Sequence, residues 1–126
     1  MTGERPPMLT CAATVIVVSD ITESIKHYCE TLGFTADFQY GSPTYYACLC
    51  RDDVPLHLIA AGETQRLPGS SAVYVFVKDV DVLHDELAAR GAKILKPPQN
   101  YAYGMRDFEV RDLDGNQLTF GMEVSG

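Results

Sequence analysis

Two stretches of this 126-residue chain repeat one another, and a repeated unit has to solve the same folding problem twice. Residues 13–21, ATVIVVSDI, line up with residues 72–80, AVYVFVKDV. Each is a β-branched or aromatic run reaching an aspartate, Asp20 or Asp79. Such a run predicts a strand buried on both faces, and the aspartate predicts a helix N-cap whose carboxylate accepts from the unpaired first N–H groups.

The residues after each aspartate agree. Glu23 stands three positions after Asp20, as in a capping box, and Ile21, Ile25, Cys29 and Leu32 recur at helical spacing before Gly33. In the second copy Val80, Leu83, Leu87 and Ala88 form the stripe, with Arg90 and Gly91 at its end. Short runs with turn punctuation follow: 34–40, 45–51 and 56–60, then 92–96, 105–111 and 117–122. Each half therefore reads as βαβββ. Module one covers about 11–62, the Gly- and Pro-bearing stretch 62–70 links the halves, and module two covers about 71–124, together forming one α+β domain.

Charge and composition remove several functions. Ten basic against 17 acidic residues leave a net charge of −7, which opposes binding to a phosphate backbone. The apolar runs, such as Val15 to Val18, fall far short of a membrane span. Met1 to Pro7 is polar, without the apolar region of a secretory leader, so a cytosolic protein is expected. Cys11, Cys29, Cys48 and Cys50 lack CxxC spacing, and reduced, mostly buried thiols are expected.

The paired strand-helix openings, Tyr28 ahead of Leu32-Gly33-Phe34, and the run YGMRDFEVRDLDGNQLTF at 103–120 resemble the vicinal oxygen chelate superfamily of glyoxalases, extradiol dioxygenases and bleomycin-resistance proteins. The resemblance spans about Cys11 to Glu123; Leu113 stands where that family usually has proline. It implies two tandem βαβββ modules curled into a half-open barrel, with a ligand on the concave face, commonly in a homodimer. The fold hosts several chemistries, so the reaction must be read from the site.

In the family's metal-dependent members, one residue near the start of each module's first strand and one on each last strand hold a divalent ion. Here those positions are Ala13, Ala72, His57 and Thr119. Neither alanine can ligate, and one imidazole with a hydroxyl falls short of the roughly three protein ligands of a catalytic site. The resemblance thus implies a metal-free member without a cofactor, closest to the bleomycin-resistance type. His57 reads first as a hydrogen-bonding strand histidine, then as a ligand contact or acid/base group. His27 and His84 read as surface or flank residues of their helices.

Alternation places Val15 and Val17 with Ala13, and Tyr74 and Phe76 with Ala72. A register with Tyr46 opposite His57 and Phe108 opposite Thr119 would put Tyr46, Cys48, Arg106 and Phe108 on the concave face; a one-residue slip would turn Asp107 and Glu109 inward instead. Tyr101 and Tyr103, beside Pro97-Pro98, suit a mobile rim. Asp112, Asp114, Gly115 and Asn116 read as turn formers. Cys48 and Cys50 share a strand face but have no neighbouring base to make a thiolate. The function expected is metal-independent binding or sequestration of a small aromatic or amphipathic molecule. The alternative is a glyoxalase- or dioxygenase-like lyase, isomerase or oxygenase using His57 and Arg106.

Overall fold

The computed structural model describes residues 3 and 5–124, so the reading of Met1 to Pro7 lies partly outside the described residues. The elements are β1 (Thr14–Val18), α1 (Ile21–Glu30), β2 (Thr35–Gly41), β3 (Thr44–Arg51), β4 (Val54–Ala60), β5 (Ala72–Phe76), α2 (Val80–Ala89), β6 (Lys93–Asn100), β7 (Met105–Arg111) and β8 (Gln117–Glu123). They form two open four-stranded mixed sheets of like order, β1-β4-β3-β2 and β5-β8-β7-β6. In each, the first strand runs parallel to the last, and the other neighbours are antiparallel. The repeated sequence therefore produces a repeated βαβββ topology.

The helix starts follow from the aspartates. Asp20 accepts from the Glu23 amide at 3.1 Å and Asp79 from the Val82 amide at 3.1 Å, each satisfying a first-turn N–H that the helix leaves unpaired. Gly33, at φ +78°, and Gly91, at φ +88°, follow the helix ends in the left-handed region that glycine enters without strain. β6 runs past its expected end at Lys96 to Asn100 through Pro97 and Pro98. It is an edge strand with register shifts there, and the missing proline donors break no regular ladder.

Each helix covers one face of its own sheet. Ile16, Val18, Ala47, Leu49, Leu56 and Leu58 of module one belong to a single buried cluster with Val75, Phe108, Val110, Leu118 and Phe120 of module two. The opposite sheet faces lie outside that shared core. β5 accordingly departs from the expectation of burial on both faces: Val75 is buried while Tyr74 and Phe76 are exposed. The thiols differ too, since Cys11 is exposed and Cys29, Cys48 and Cys50 are only half-buried. The first lies ahead of β1, and Cys48 and Cys50 alternate with the core residues of β3.

A polar knot joins the modules. Asp112, buried in the β7–β8 turn, accepts from Tyr28 Oη of α1 at 2.7 Å, from the amides of Asp114 and Asn116 at 2.9 and 2.8 Å, and from Asn116 Nδ2 at 2.9 Å. Asn116 also donates to the Val17 carbonyl of β1 at 3.0 Å and accepts from the Ser71 amide, just before β5, at 3.0 Å. The residues read as turn formers thus also tie two modules together.

Candidate functional site

The uncovered face of module one is set by two rows across its sheet. One runs Val15, His57, Cys48, Phe38 and the next Val17, Ile59, Tyr46, Tyr40. Tyr46 thus lies opposite Ile59 rather than His57, a shift of two residues from the expected pairing, which leaves every side chain on the expected face. The diagonal still lets Tyr46 Oη and His57 Nδ1 meet at 2.8 Å, with the rings edge to face at 5.4 Å. Burial pushes the Tyr46 phenol up from its ordinary pKa, with the Cys48 thiol adding to the rise. Phe38 and Tyr40 pack ring on ring at 4.4 Å and stay about half exposed, at 52% and 49%.

Module two follows the slipped register. Glu109 lies opposite Thr119 and Asp107 opposite Gly121, while Phe108 pairs with Phe120. The expected placement of Arg106 and Phe108 on the ligand face is therefore corrected. Phe108 is fully buried in the core, where His84 meets it edge to face at 5.3 Å. Arg106 points to the helix side and donates to Asp81 at 2.8 and 3.1 Å. One residue of slip exchanges the two faces of a strand, and hydrophobic burial of Phe108 and Val110 fixes which face turns inward.

The rows on the face of module two turned away from α2 are then Tyr74, Thr119, Glu109 and Phe76, Gly121, Asp107. Tyr74 crosses Gly121 and donates to Asp107 Oδ2 at 2.9 Å, and Tyr103, on the β6–β7 connection, donates to the same oxygen at 2.8 Å. Gly121 makes this possible, because a Cβ there would lie 2.6 Å from Tyr74 Cζ. Its hydrogen bond to Asp107, with some burial, holds the Tyr103 phenol at about 12, and burial foremost pushes Tyr74 up as well. Tyr101 stacks on Tyr103 at 5.3 Å, and Tyr74 and Phe76 sit 5.3 Å apart. Thr119 accepts from Gln117 Nε2 at 3.3 Å, and Glu109 pairs with Arg111 at 2.9 Å.

The structure thus brings together Tyr46 with His57, and Tyr74 with Phe76, Tyr101 and Tyr103, but on the faces of two separate sheets. Residues missed in the sequence reading are Phe38 and Tyr40, whose alternation with Gln39 was a legible signal, and Gly121, whose role depends on a tyrosine far away in sequence. The four positions that would hold an ion carry Ala13, Ala72, His57 and Thr119, a donor set that does not fit one. Among the described residues, no group of three or more His, Cys, Asp or Glu is arranged to hold a metal.

A cleft of about 740 Å³ lies elsewhere, between the modules, over Leu32, Phe34, Val75, Leu87 and Phe120. Arg51 and Glu86 close a 2.7 Å ion pair in its wall, where Arg90 also reaches Glu86 at 3.1 Å, and Asp52, Asp53, Lys78 and Asp79 line it as well. Of the expected site residues only Phe76 borders it.

Comparison with known proteins agrees with this architecture. The sequence model of the Glyoxalase/Bleomycin resistance protein/Dioxygenase superfamily matches residues 10–120. An uncharacterized protein of Mycolicibacterium smegmatis is 37% identical over 106 residues, covering 84% of this chain and 87% of its own. A bleomycin resistance protein of Geobacillus stearothermophilus is 26% identical, covering 85% of this chain and 92% of its own. Among solved structures, the bleomycin-binding protein of Streptomyces verticillus, complexed with copper(II)-bleomycin, superposes with a TM-score of 0.71 at 26% identity, covering 94% and 100% of the two chains. With its two βαβββ modules and a match over nearly its whole length, the chain belongs to the glyoxalase/bleomycin resistance protein/dioxygenase superfamily.

Proposed function

We propose that this protein binds a small aromatic or amphipathic molecule on the sheet faces turned away from its helices, without a metal of its own. The observation that carries this reading is the set of aromatic side chains left uncovered on those faces: Phe38, Tyr40, Tyr74, Phe76 and Tyr103 are 39% to 75% exposed. Aromatic walls with a few convergent polar groups, here His57, Thr119 and Asp107, are the makeup of a small-molecule site. The resemblance to bleomycin-binding proteins supports a guest of this kind.

One chain supplies two half-sites. We assign their joining to a homodimer, in which the Tyr46–His57 face of one protomer meets the Tyr74–Phe76–Thr119 face of its partner. β1 and β5 are edge strands, consistent with such a pairing of copies. The four free thiols fit a reducing compartment, so the site of action is the cytoplasm. Tyr101 and Tyr103 act as the rim that admits the guest.

Titration of chelator-treated protein with bleomycin and a panel of aromatic amphiphiles tests the reading. Saturable binding that Tyr74→Ala weakens is the expected result; absence of binding across the panel refutes it. A second reading rests on the Tyr46–His57 contact, in which His57 serves as an acid/base group of a lyase or isomerase. Turnover that disappears in His57→Ala would favour it over sequestration.

A further inference from the structure

Asp107 is a carboxylate only 6% exposed, in the midst of aromatic rings. Its hydrogen bonds come from two neutral phenols, Tyr74 and Tyr103, and both use Oδ2, which leaves Oδ1 for another donor. No ion pair among the described residues involves it. The cations nearest in sequence are engaged elsewhere: Arg106 points to the other face and holds Asp81, and Arg111 holds Glu109. A buried carboxylate without a counter-charge is costly and is ordinarily paired.

We propose that Asp107 is the anchor for an ammonium group, so that the guest of this site is a cationic aromatic or amphipathic amine. The inference rests on the binding reading above and adds the charge class of the ligand. The rings supply the second half of the recognition. Tyr74 and Phe76 lie side by side, and Tyr103 is backed by the stacked ring of Tyr101, so π faces and a carboxylate occur together. A cation within about 6 Å of a ring centroid is attracted by the ring quadrupole, and a carboxylate beside it adds a direct charge partner. The amine replaces the Tyr103 phenol or joins it on Asp107; Tyr103 is 64% exposed and lies on a surface turn, so it can yield. The net charge of −7 draws cations toward the protein from a distance.

The test is a fluorescence titration of the intact protein at neutral pH with 1-naphthylmethylammonium, the protonated primary amine, and with the neutral 1-naphthalenemethanol. The cation is expected to bind about tenfold or more tighter than the alcohol. Asp107→Asn should bring the two affinities within about threefold of each other. Phe76→Leu, at a position 75% exposed, should keep the melting temperature and weaken cation binding about threefold or more, which keeps the test decisive if the Asp107 variant does not fold. Equal affinity for both probes, or a preference unchanged in the folded variants, overturns the ammonium assignment while leaving an aromatic site in place. Binding of neither probe removes the site itself and this assignment with it.

Discussion

Removing one hydroxyl from α1 should weaken the junction between the modules. Tyr28 is fully buried, its ring lies edge to face with Phe34 at 6.0 Å, and its hydroxyl donates to Asp112 at 2.7 Å. Tyr28→Phe keeps the ring and deletes the donor. Asp112 retains its three bonds from Asp114 and Asn116, so the loss is one buried bond to a charged acceptor, about 1.5–3 kcal/mol. With about 2.1 cal/mol/K of unfolding entropy per residue over 126 residues, a 2 kcal/mol loss lowers the melting temperature by roughly 8 °C. Burial, and then Asp112, raises the Tyr28 phenol far above its ordinary value of 10.0. A phenol whose folded pKa is raised contributes its stability fully below the unfolded pKa, and that contribution is lost as pH rises through the folded value. The difference between Tyr28→Phe and the parent should therefore be constant from pH 6 to about 9 and shrink only at strongly alkaline pH. Urea and thermal unfolding across that range measure it. A loss below about 0.5 kcal/mol at neutral pH would refute the junction argument.

Other substitutions separate the two sheet faces. Gly121→Ala drives a methyl group into Tyr74, and the strain should cost about 1–3 kcal/mol in unfolding assays while the Tyr74 phenol titrates closer to its ordinary range. Tyr103→Phe should remove a phenol that titrates near 12 from the absorbance titration at high pH. Phe108→Ala opens the shared core and should cost about 3–5 kcal/mol, seen in the urea midpoint. Arg106→Ala should leave ligand affinity within about twofold, because its partner Asp81 lies on the helix side; a larger drop would contradict the observed face assignment.

The fold was legible because several local signals agreed. Asp20 and Asp79 both cap helices, Gly33 and Gly91 both follow helix ends, and the β-branched runs both form strands. The site was legible only in part. Tyr46, His57, Tyr74 and Phe76 follow from alternation along single strands, whereas Arg106 and Phe108 depended on the register of β7 against β8. That register is fixed by which side chains the core accepts, a long-range effect outside any short sequence window. The same slip brought Asp107 to the face turned away from α2, and its two phenol partners come from β5 and from the β6–β7 connection. Likewise Asp112 and Asn116 show turn chemistry in sequence, while their bonds to Tyr28 and Val17 cross from one module to the other.

Calorimetric titration of the chelator-treated protein with bleomycin and a set of aromatic amines, repeated after adding zinc, nickel, manganese or ferrous iron, tests metal-independent binding most directly. At least one of these compounds should bind saturably, with an affinity unchanged by added metal and reduced by Tyr74→Ala. Binding or turnover that arises only after stoichiometric, His57-dependent metal uptake would contradict it.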